Sequence, residues 1–252
     1  MDKKKIFAAL GVIVVIAAII VGVVVFSKKE GNKEPEYKQT ALDFKEEYEK
    51  VNGKTMKDDI KYRSLDINKN NPYVKVSIDE VAKMIKNGES FYLYVGDHLC
   101  PWCRSGIEKM IEVANREKIE KIYYVDFWDD DHNEILRELY DVEIKGKKTT
   151  FKITQEATEG YKVLYDAVKD MGLKDYTVTK DGKEYTVPNV KKVYGGDHFY
   201  FNKGVCKKYV TLRVPSLEKA TDELTDSVLK EQDKTYTDLF TFSNSCNGEG
   251  DC

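Results

Sequence analysis

Two cysteines three positions apart carry the most distinctive chemistry in this sequence. Cys100 and Cys103 stand in the tetrapeptide CPWC, which opens a stretch with helical periodicity. Pro101 favours a helix start, because its φ is already helical and its missing N–H is not needed there. Cys100 then occupies the N-cap, where unpaired N–H groups and the helix dipole stabilise a thiolate. Cys103, one turn further on, can close a disulfide with Cys100. The spacing predicts a reactive dithiol.

The same spacing also serves as half of a zinc site or as a structural disulfide. A zinc site needs a second pair of ligands at a suitable spacing. No second pair exists among the remaining cysteines and the scattered histidines, which are Cys206, Cys246, Cys252, His98, His132 and His198. We therefore favour redox chemistry and expect neither a metal nor an organic cofactor.

Strands and helices alternate around the dithiol. An apolar strand directly precedes CPWC, and a serine three residues before a glutamate, Ser77 and Glu80, predicts a capping box at the preceding helix. The predicted elements are a strand at 73–76, a helix at 77–88, a strand at 91–95, the CPWC helix, a strand at 121–127 and a helix at 129–142. This β-α-β pattern indicates a parallel core.

The CPWC motif between a strand and a helix, inside this frame, resembles the thioredoxin family. The resemblance implies an α/β fold with a central mixed sheet, a final hairpin (198–210) and a terminal helix (216–239). It covers residues 72–142 and, more loosely, 197–240. Residues 143–192 exceed what such a fold needs and predict an insertion with a helix (159–171) and a hairpin (175–187) before the final hairpin.

The resemblance assigns roles around the motif. Cys100 would form the mixed disulfide and Cys103 would resolve it. Pro101 would stiffen the helix start, and Trp102 would either contact the substrate or simply pack. His98 either stabilises the thiolate as an imidazolium or is an exposed turn residue. Arg104 is expected on the helix surface.

Two family features are altered in this chain. Members of the family place a cis-proline opposite the dithiol. Pro188 competes for that position with Gly196, to which a count back from the final hairpin leads. The family also carries an aspartate six residues before the first active cysteine, where this chain has Tyr94. Deprotonation of Cys103 then needs water, Tyr94 or another group.

An uncharged apolar run of 21 residues, 6–26, follows the N-terminal MDKKK. Its length matches the roughly 20 residues that span a bilayer core, and no small-residue cleavage site follows it. We expect a single-pass anchor with residues 1–5 in the cytoplasm and the remaining chain outside the membrane, as the charge bias and five cysteines favour. The expected order is a tether with a short amphipathic helix (27–71, helix at 41–51), the main domain (72–240) and a cysteine-containing tail (241–252). The helix at 41–51 either packs on the domain or holds it off the membrane.

The cysteine number leaves the tail open to several pairings. Five cysteines leave at least one thiol unpaired if the others form disulfides. Cys246 and Cys252 can close a small loop, or either can pair with Cys206 and fasten the tail to the sheet. A mobile tail dithiol that relays electrons to CPWC is a third arrangement.

The sequence as a whole predicts a membrane-anchored, extracytoplasmic thiol–disulfide oxidoreductase that acts on protein cysteines with an unidentified redox partner. A net charge of −3, with 34% charged residues and no basic patch among aromatics, argues against nucleic acid as a partner. Two alternatives remain: a redox-inactive accessory or binding module for a secreted protein or transporter, and a metal-handling protein that uses the CPWC cysteines with one from the tail.

Overall fold

The computed structural model describes residues 40–56, 59–129 and 133–246. For residues 244–246 it describes the backbone only. The expected anchor at 6–26, the cytoplasmic residues 1–5, the tether up to residue 39 and Cys252 lie outside the described residues. Within those residues, no helix combines the length and the apolar character that a membrane crossing needs.

Five helices and nine strands make up the described part of the chain. The helices are α1 (Ala41–Glu49), α2 (Ile78–Lys86), α3 (Pro101–Arg116), α4 (Glu159–Val168) and α5 (Asp226–Cys246). The strands are β1 (Tyr73–Lys75), β2 (Phe91–Gly96), β3 (Ile122–Asp126), β4 (Leu139–Lys145), β5 (Lys148–Gln155), β6 (Asp175–Lys180), β7 (Lys183–Lys191), β8 (Asp197–Asn202) and β9 (Val205–Thr211).

A five-stranded mixed sheet forms the centre, in the order β1-β3-β2-β8-β9. Strands β1, β3 and β2 run parallel, whereas β8 pairs antiparallel to β2 and β9 pairs antiparallel to β8. The mixed α/β architecture expected from the sequence is confirmed. Helix α3 packs the predicted apolar side chains, among them Ile107, Met110 and Ile111, into the core. The sheet edge at the end of β2 therefore carries the CPWC turn.

Local capping chemistry explains where two helices begin. Ser77 accepts a hydrogen bond from the N–H of Glu80, whose carboxylate binds the Ser77 N–H in return, which confirms the predicted capping box of α2. Thr40 and Asp43 make the same reciprocal pair at α1. Both helices thus satisfy their first backbone donors without tertiary help.

Helix α1 belongs to the domain core. Phe44 and Tyr48 are fully buried, and the ring of Phe44 stacks on that of Tyr73 with 4.5 Å between centroids. Helix α1 therefore packs on the domain, because its aromatic face covers one side of the sheet.

The region between β3 and β8 contains two hairpins and a helix. Strands β4 and β5 form one two-stranded sheet, β6 and β7 form another, and α4 lies between them along the chain. The helix predicted at 159–171 is confirmed as α4, and the hairpin predicted at 175–187 is confirmed as β6 and β7. The helix predicted at 129–142 is wrong: its described residues from 133 onward hold no helix, and β4 starts at Leu139. Apolar and polar residues alternate as far as Ile144, and β4 pairs with β5 across the turn at Gly146. This alternation favours a hairpin over a helix.

The C-terminal helix is shifted relative to its expected position. Helix α5 begins at Asp226 instead of residue 216 and continues to Cys246. The side chain of Thr225 accepts from the N–H of Val228 at 3.5 Å, so that Thr225 caps the helix. Phe240 is buried against the ring of Tyr92, at 5.2 Å between centroids. This packing extends the helix into residues expected to form the polar tail at 241–252.

Candidate active site

The CPWC cysteines lie where the sequence predicts them, at the start of α3. Cys100 is the N-cap and Pro101 the first helical residue. The backbone N–H of Cys103 donates to the Sγ of Cys100 at 3.2 Å. Both thiols are free, with Cys100 partly exposed and Cys103 fully buried. The arrangement gives one sulfur that solvent or a substrate can reach and a second directly beneath it.

Three groups surround the buried sulfur of Cys103. Burial and the neighbouring sulfur of Cys100 raise the pKa of Cys103 well above its usual value. The Tyr94 hydroxyl and the backbone N–H of Asp97 oppose this by hydrogen bonding to the sulfur. Cys103 is therefore a protonated thiol at neutral pH that has two donors in place for its thiolate.

Tyr94 reaches Cys103 only because residue 96 is a glycine. Both residues face the same side of strand β2, and a Cβ on Gly96 would lie 2.0 Å from the hydroxyl oxygen of Tyr94. The phenol thus occupies the volume of the missing side chain. Gly96 positions Tyr94, a role that the sequence analysis did not assign.

A layer of aromatic side chains lies beneath the dithiol. The hydroxyls of Tyr94 and Tyr48 are 2.7 Å apart. The Nε2 of His198 lies 2.8 Å from the hydroxyl of Tyr73, and its Nδ1 lies 3.3 Å from the carbonyl of Gly196. The imidazole stacks on the ring of Tyr94 at 4.4 Å. Burial lowers the pKa of His198 to about 3, so the ring is neutral and accepts from Tyr73 while donating to Gly196.

A glycine pair lies opposite the dithiol. A Cβ on Gly195 would lie 3.2 Å from the Sγ of Cys103 and 3.3 Å from that of Cys100. Gly196 follows with a φ of +104°, and its N–H donates to the carbonyl of Val95. A side chain in place of Gly195 would therefore make an unusually tight contact with both sulfurs.

Pro188 does not occupy that position. It lies within β7, in the separate two-stranded sheet with β6, and the described residues contain no cis peptide bond. The count to Gly196 leads to the segment that lies opposite the dithiol. The glycine pair comes close to the sulfurs because β8, which follows it, pairs with β2.

His98 is held by carboxylates and is not an exposed turn residue. Its Nδ1 lies 3.2 Å from Asp97 and 3.6 Å from Glu47. Burial disfavours the imidazolium, but the attraction of these two carboxylates outweighs it and raises the pKa of His98. Since two acids share its positive charge, His98 supplies little net positive potential to Cys100.

Glu47, His98 and Asp126 bring three potential metal ligands within 4.8 Å of one another. The ammonium group of Lys75 lies 3.2 Å from Glu47 and 3.4 Å from Asp126. The charge of Lys75 thus already compensates these carboxylates. The cluster is explained as an ion-pair network around the imidazole.

Arg104 is buried, in contrast to its expected place on the helix surface. Only 1% of it is exposed, and its guanidinium makes five hydrogen bonds. The acceptors are the carbonyls of Tyr48, Arg63 and His98 and the side-chain oxygen of Asn52. The charge of Arg104 therefore fastens the segment after α1 to the dithiol helix.

Trp102 is partly buried and packs against Val214, Leu217 and Val228. The guanidinium of Arg213 lies over its ring, 4.4 Å from the centroid. One part of the indole thus serves packing, and the remainder stays accessible beside Cys100.

Of the three remaining cysteines, only Cys206 has its side chain among the described residues. Cys206 is a buried free thiol in β9, and burial raises its pKa to about 12. A disulfide from β9 to the tail is therefore not formed in this structure. Cys246 is the last residue of α5, and its side chain lies outside the described part of the chain. All of Cys252 also lies outside it, so a disulfide between these two cysteines stays a prediction.

Comparison with known proteins adds no family to this picture. No protein-family model matches the chain, and no curated protein is similar to it.

Proposed function

We propose that this protein is a thioredoxin-like thiol–disulfide oxidoreductase that acts on cysteines of other proteins through Cys100 and Cys103. The observation that supports it most is the stacked pair of thiols: a partly exposed Cys100 at a helix N-cap above a buried Cys103 that has Tyr94 as a donor. The strand order and the close approach of Gly195 agree with the resemblance of the CPWC motif to that family.

The exchange proceeds in two sulfur-transfer steps. The thiolate of Cys100 attacks a substrate disulfide, forms a bond to one substrate sulfur and releases the other as a thiolate. Cys103 then attacks the Sγ of Cys100, which forms the Cys100–Cys103 disulfide and releases the second substrate sulfur. The proton of Cys103 leaves with that sulfur. Two electrons pass from the dithiol to the substrate, and the reverse sequence oxidises a substrate dithiol.

Tyr94 acts in the second step. As Cys103 loses its proton, the sulfur gains negative charge inside the core, where solvation is poor. The phenol donates to that sulfur, and the Tyr48 hydroxyl can donate to the phenol oxygen at 2.7 Å. A short chain of donors thus replaces the carboxylate that the family carries at this position. Burial raises the pKa of Tyr94 well above its usual value, which keeps it a donor.

The apolar run at 6–26 supports a location on the outer side of the cytoplasmic membrane, with the domain anchored through a single span. Substrates are then extracytoplasmic proteins and the redox partner a second protein dithiol. Labelling of intact cells with a membrane-impermeant maleimide, directed at Cys100, tests this location: reaction supports it, and protection that persists until the membrane is permeabilised contradicts it.

The exchange itself is tested by trapping. In Cys103→Ser, attack by Cys100 leaves a mixed disulfide that cannot be resolved, and we expect it to accumulate with a denatured disulfide-containing protein. Cys100→Ser should form none, and Cys206→Ser should behave as wild type because its thiol is buried in β9. Gel shift and mass measurement give the readout. Equal behaviour of the three variants contradicts the proposal.

The reduction potential then gives the direction. A value of about −120 to −180 mV marks a disulfide donor or isomerase, and one near about −270 mV marks a reductant. A pair that stays oxidised in strongly reducing buffer excludes exchange, and the accessory or binding-module interpretation would replace it.

A further inference from the structure

A groove of about 230 Å³ opens beside the dithiol. Its lining includes the rings of Trp102, Tyr194 and Tyr209, two cations, Lys174 and Arg213, and the backbone of Gly195. Because Gly195 also approaches both active sulfurs, the groove ends at the dithiol. A chain whose cysteine reaches Cys100 would therefore place its neighbouring residues in this groove.

The cations of the groove are exposed and partly fixed. Arg213 is exposed and stacks on the Trp102 ring at 4.4 Å. Lys174 is also exposed, and its carbonyl accepts from the N–H of Lys192. Two exposed positive groups thus line one short groove in a chain whose net charge is −3.

Asp197 is the single carboxylate among the described residues that line the groove. It is 1% exposed, and it accepts from the N–H of Tyr194 at 2.8 Å and from the hydroxyl of Tyr209 at 3.0 Å. Burial raises the pKa of Asp197 to about 7, so much of its population is neutral near neutral pH. The acid therefore orients the groove wall through these hydrogen bonds, and only its ionised fraction compensates part of the charge of Lys174.

We propose that this groove selects polypeptide substrates with acidic residues beside the reacting cysteine, through Lys174 and Arg213. The proposal rests on the proposed exchange function and names its substrate class. Carboxylates of an extended substrate would pair with the two exposed cations, and apolar neighbours would lie on the accessible part of Trp102. Positive potential at a cleft raises the local concentration of an oppositely charged substrate and its association rate.

The test uses three nine-residue peptides that differ only in the residues flanking a single cysteine: glutamates, glutamines or lysines. The cysteine carries 2-mercaptoethanol as a mixed disulfide. The reduced protein can attack either sulfur of this mixed disulfide, and both routes release free peptide thiol and free 2-mercaptoethanol. The protein dithiol becomes a disulfide, so electrons and atoms balance. Stopped-flow fluorescence gives each second-order rate constant, divided by that for bis(2-hydroxyethyl) disulfide on the same protein.

For the wild type at low ionic strength, we expect the glutamate peptide to react about tenfold faster than the lysine peptide, with the glutamine peptide between them. About 0.5 M salt should remove most of the difference. Lys174→Gln/Arg213→Gln should bring the ratio near one, and Lys174→Glu/Arg213→Glu should invert it. Lys148→Glu, which changes the net charge as much as Lys174→Gln/Arg213→Gln does but lies in the β4–β5 hairpin, should keep the wild-type ratio.

Binding provides a second readout that needs no exchange. Peptides with serine for cysteine are titrated against the oxidised protein, and tryptophan fluorescence gives Kd. Tighter binding of the glutamate peptide that is lost in the charge variants supports the groove even if bis(2-hydroxyethyl) disulfide does not react, an outcome that overturns only the exchange function. Equal Kd values and equal rate constants for the three peptides overturn the groove.

Discussion

Two buried arginines organise two different regions of the protein and use different partners. Arg104 lies beneath the dithiol, and all its hydrogen bonds in the described part of the chain go to neutral oxygens. Arg137 lies at the base of the insertion, where it pairs with the carboxylate of Glu134 and donates to the carbonyl of Val193 at 2.6 Å. Near the dithiol a positive charge is held without a carboxylate, whereas in the insertion it is neutralised.

The difference matters for what each region does. Arg104 joins a long irregular segment to the dithiol helix and adds positive potential close to Cys100 through its bond to the carbonyl of His98. Arg137 holds the insertion to Val193, two residues before Gly195. The first arginine therefore supports the helix that carries the thiols, and the second supports the connection between β7 and β8 that faces them.

Loss of Arg104 should have the largest effect. Arg104→Met leaves the buried carbonyl of Tyr48 and other acceptors without their donor, and we expect a loss of about 4 kcal/mol in the free energy of unfolding. Arg137→Met, with fewer bonds to lose, should cost about 2 kcal/mol. Urea unfolding followed by tryptophan fluorescence measures both. A larger loss for Arg137→Met would contradict the comparison.

Replacing a glycine near the dithiol should cost more stability than replacing a glycine in the β4–β5 turn. In Gly96→Ala, the new methyl group collides with the Tyr94 phenol, which has no free space to enter, so we expect a loss of about 3 kcal/mol. Gly146→Ala, at the β4–β5 turn with a φ of +62° and open space around it, should cost about 1 kcal/mol of backbone strain. Replacing Tyr94 by alanine should remove most of the Gly96→Ala penalty. A penalty that persists would show that the collision is not its cause.

The buried imidazole of His198 predicts a dependence of stability on pH. Its folded pKa of about 3 lies below the unfolded value, so below about pH 6.5 the unfolded state binds the proton and the folded state does not. Stability contributed at this site therefore falls with decreasing pH by about 1.4 kcal/mol per unit. His198→Gln should lack this dependence. Asp197, with its raised pKa, acts in the opposite direction, so the difference between wild type and variant is the quantity to measure.

Removal of one hydroxyl should have the smallest effect and the most specific one. In Tyr94→Phe, the thiolate of Cys103 loses a donor, its pKa rises further, and we expect resolution of the mixed disulfide to slow about tenfold at neutral pH. The pH–rate profile should shift to higher pH, an effect that a merely structural role would not produce. Tyr140→Phe, in the insertion, serves as the control. An unchanged profile in Tyr94→Phe would exclude its role.

Local patterns accounted for much of the fold. The capping box at Ser77, the proline after Cys100 and the alternation in β6 and β7 each depend on neighbours within a few residues, and their elements formed as expected. Predictions of secondary structure were wrong where a local pattern fitted more than one structure or covered only part of an element. The segment before Val142 satisfied a helical period, and only pairing across Gly146 decided for a strand.

The sequence by itself determined the dithiol and its place at a helix start, because residue type and spacing there act through local backbone geometry. Tertiary structure alone decided what surrounds it. Arg104 is adjacent to the carbonyl of Tyr48, and Gly195 to both sulfurs, through contacts between segments that are distant along the chain. Tyr94 meets Cys103 inside the core that β2 and α3 share. Such contacts depend on how strands and helices pack, and no short stretch of sequence specifies that. The spacing of CPWC therefore indicates dithiol chemistry. The packed core determines which proton donors, charges and groove surround the two cysteines.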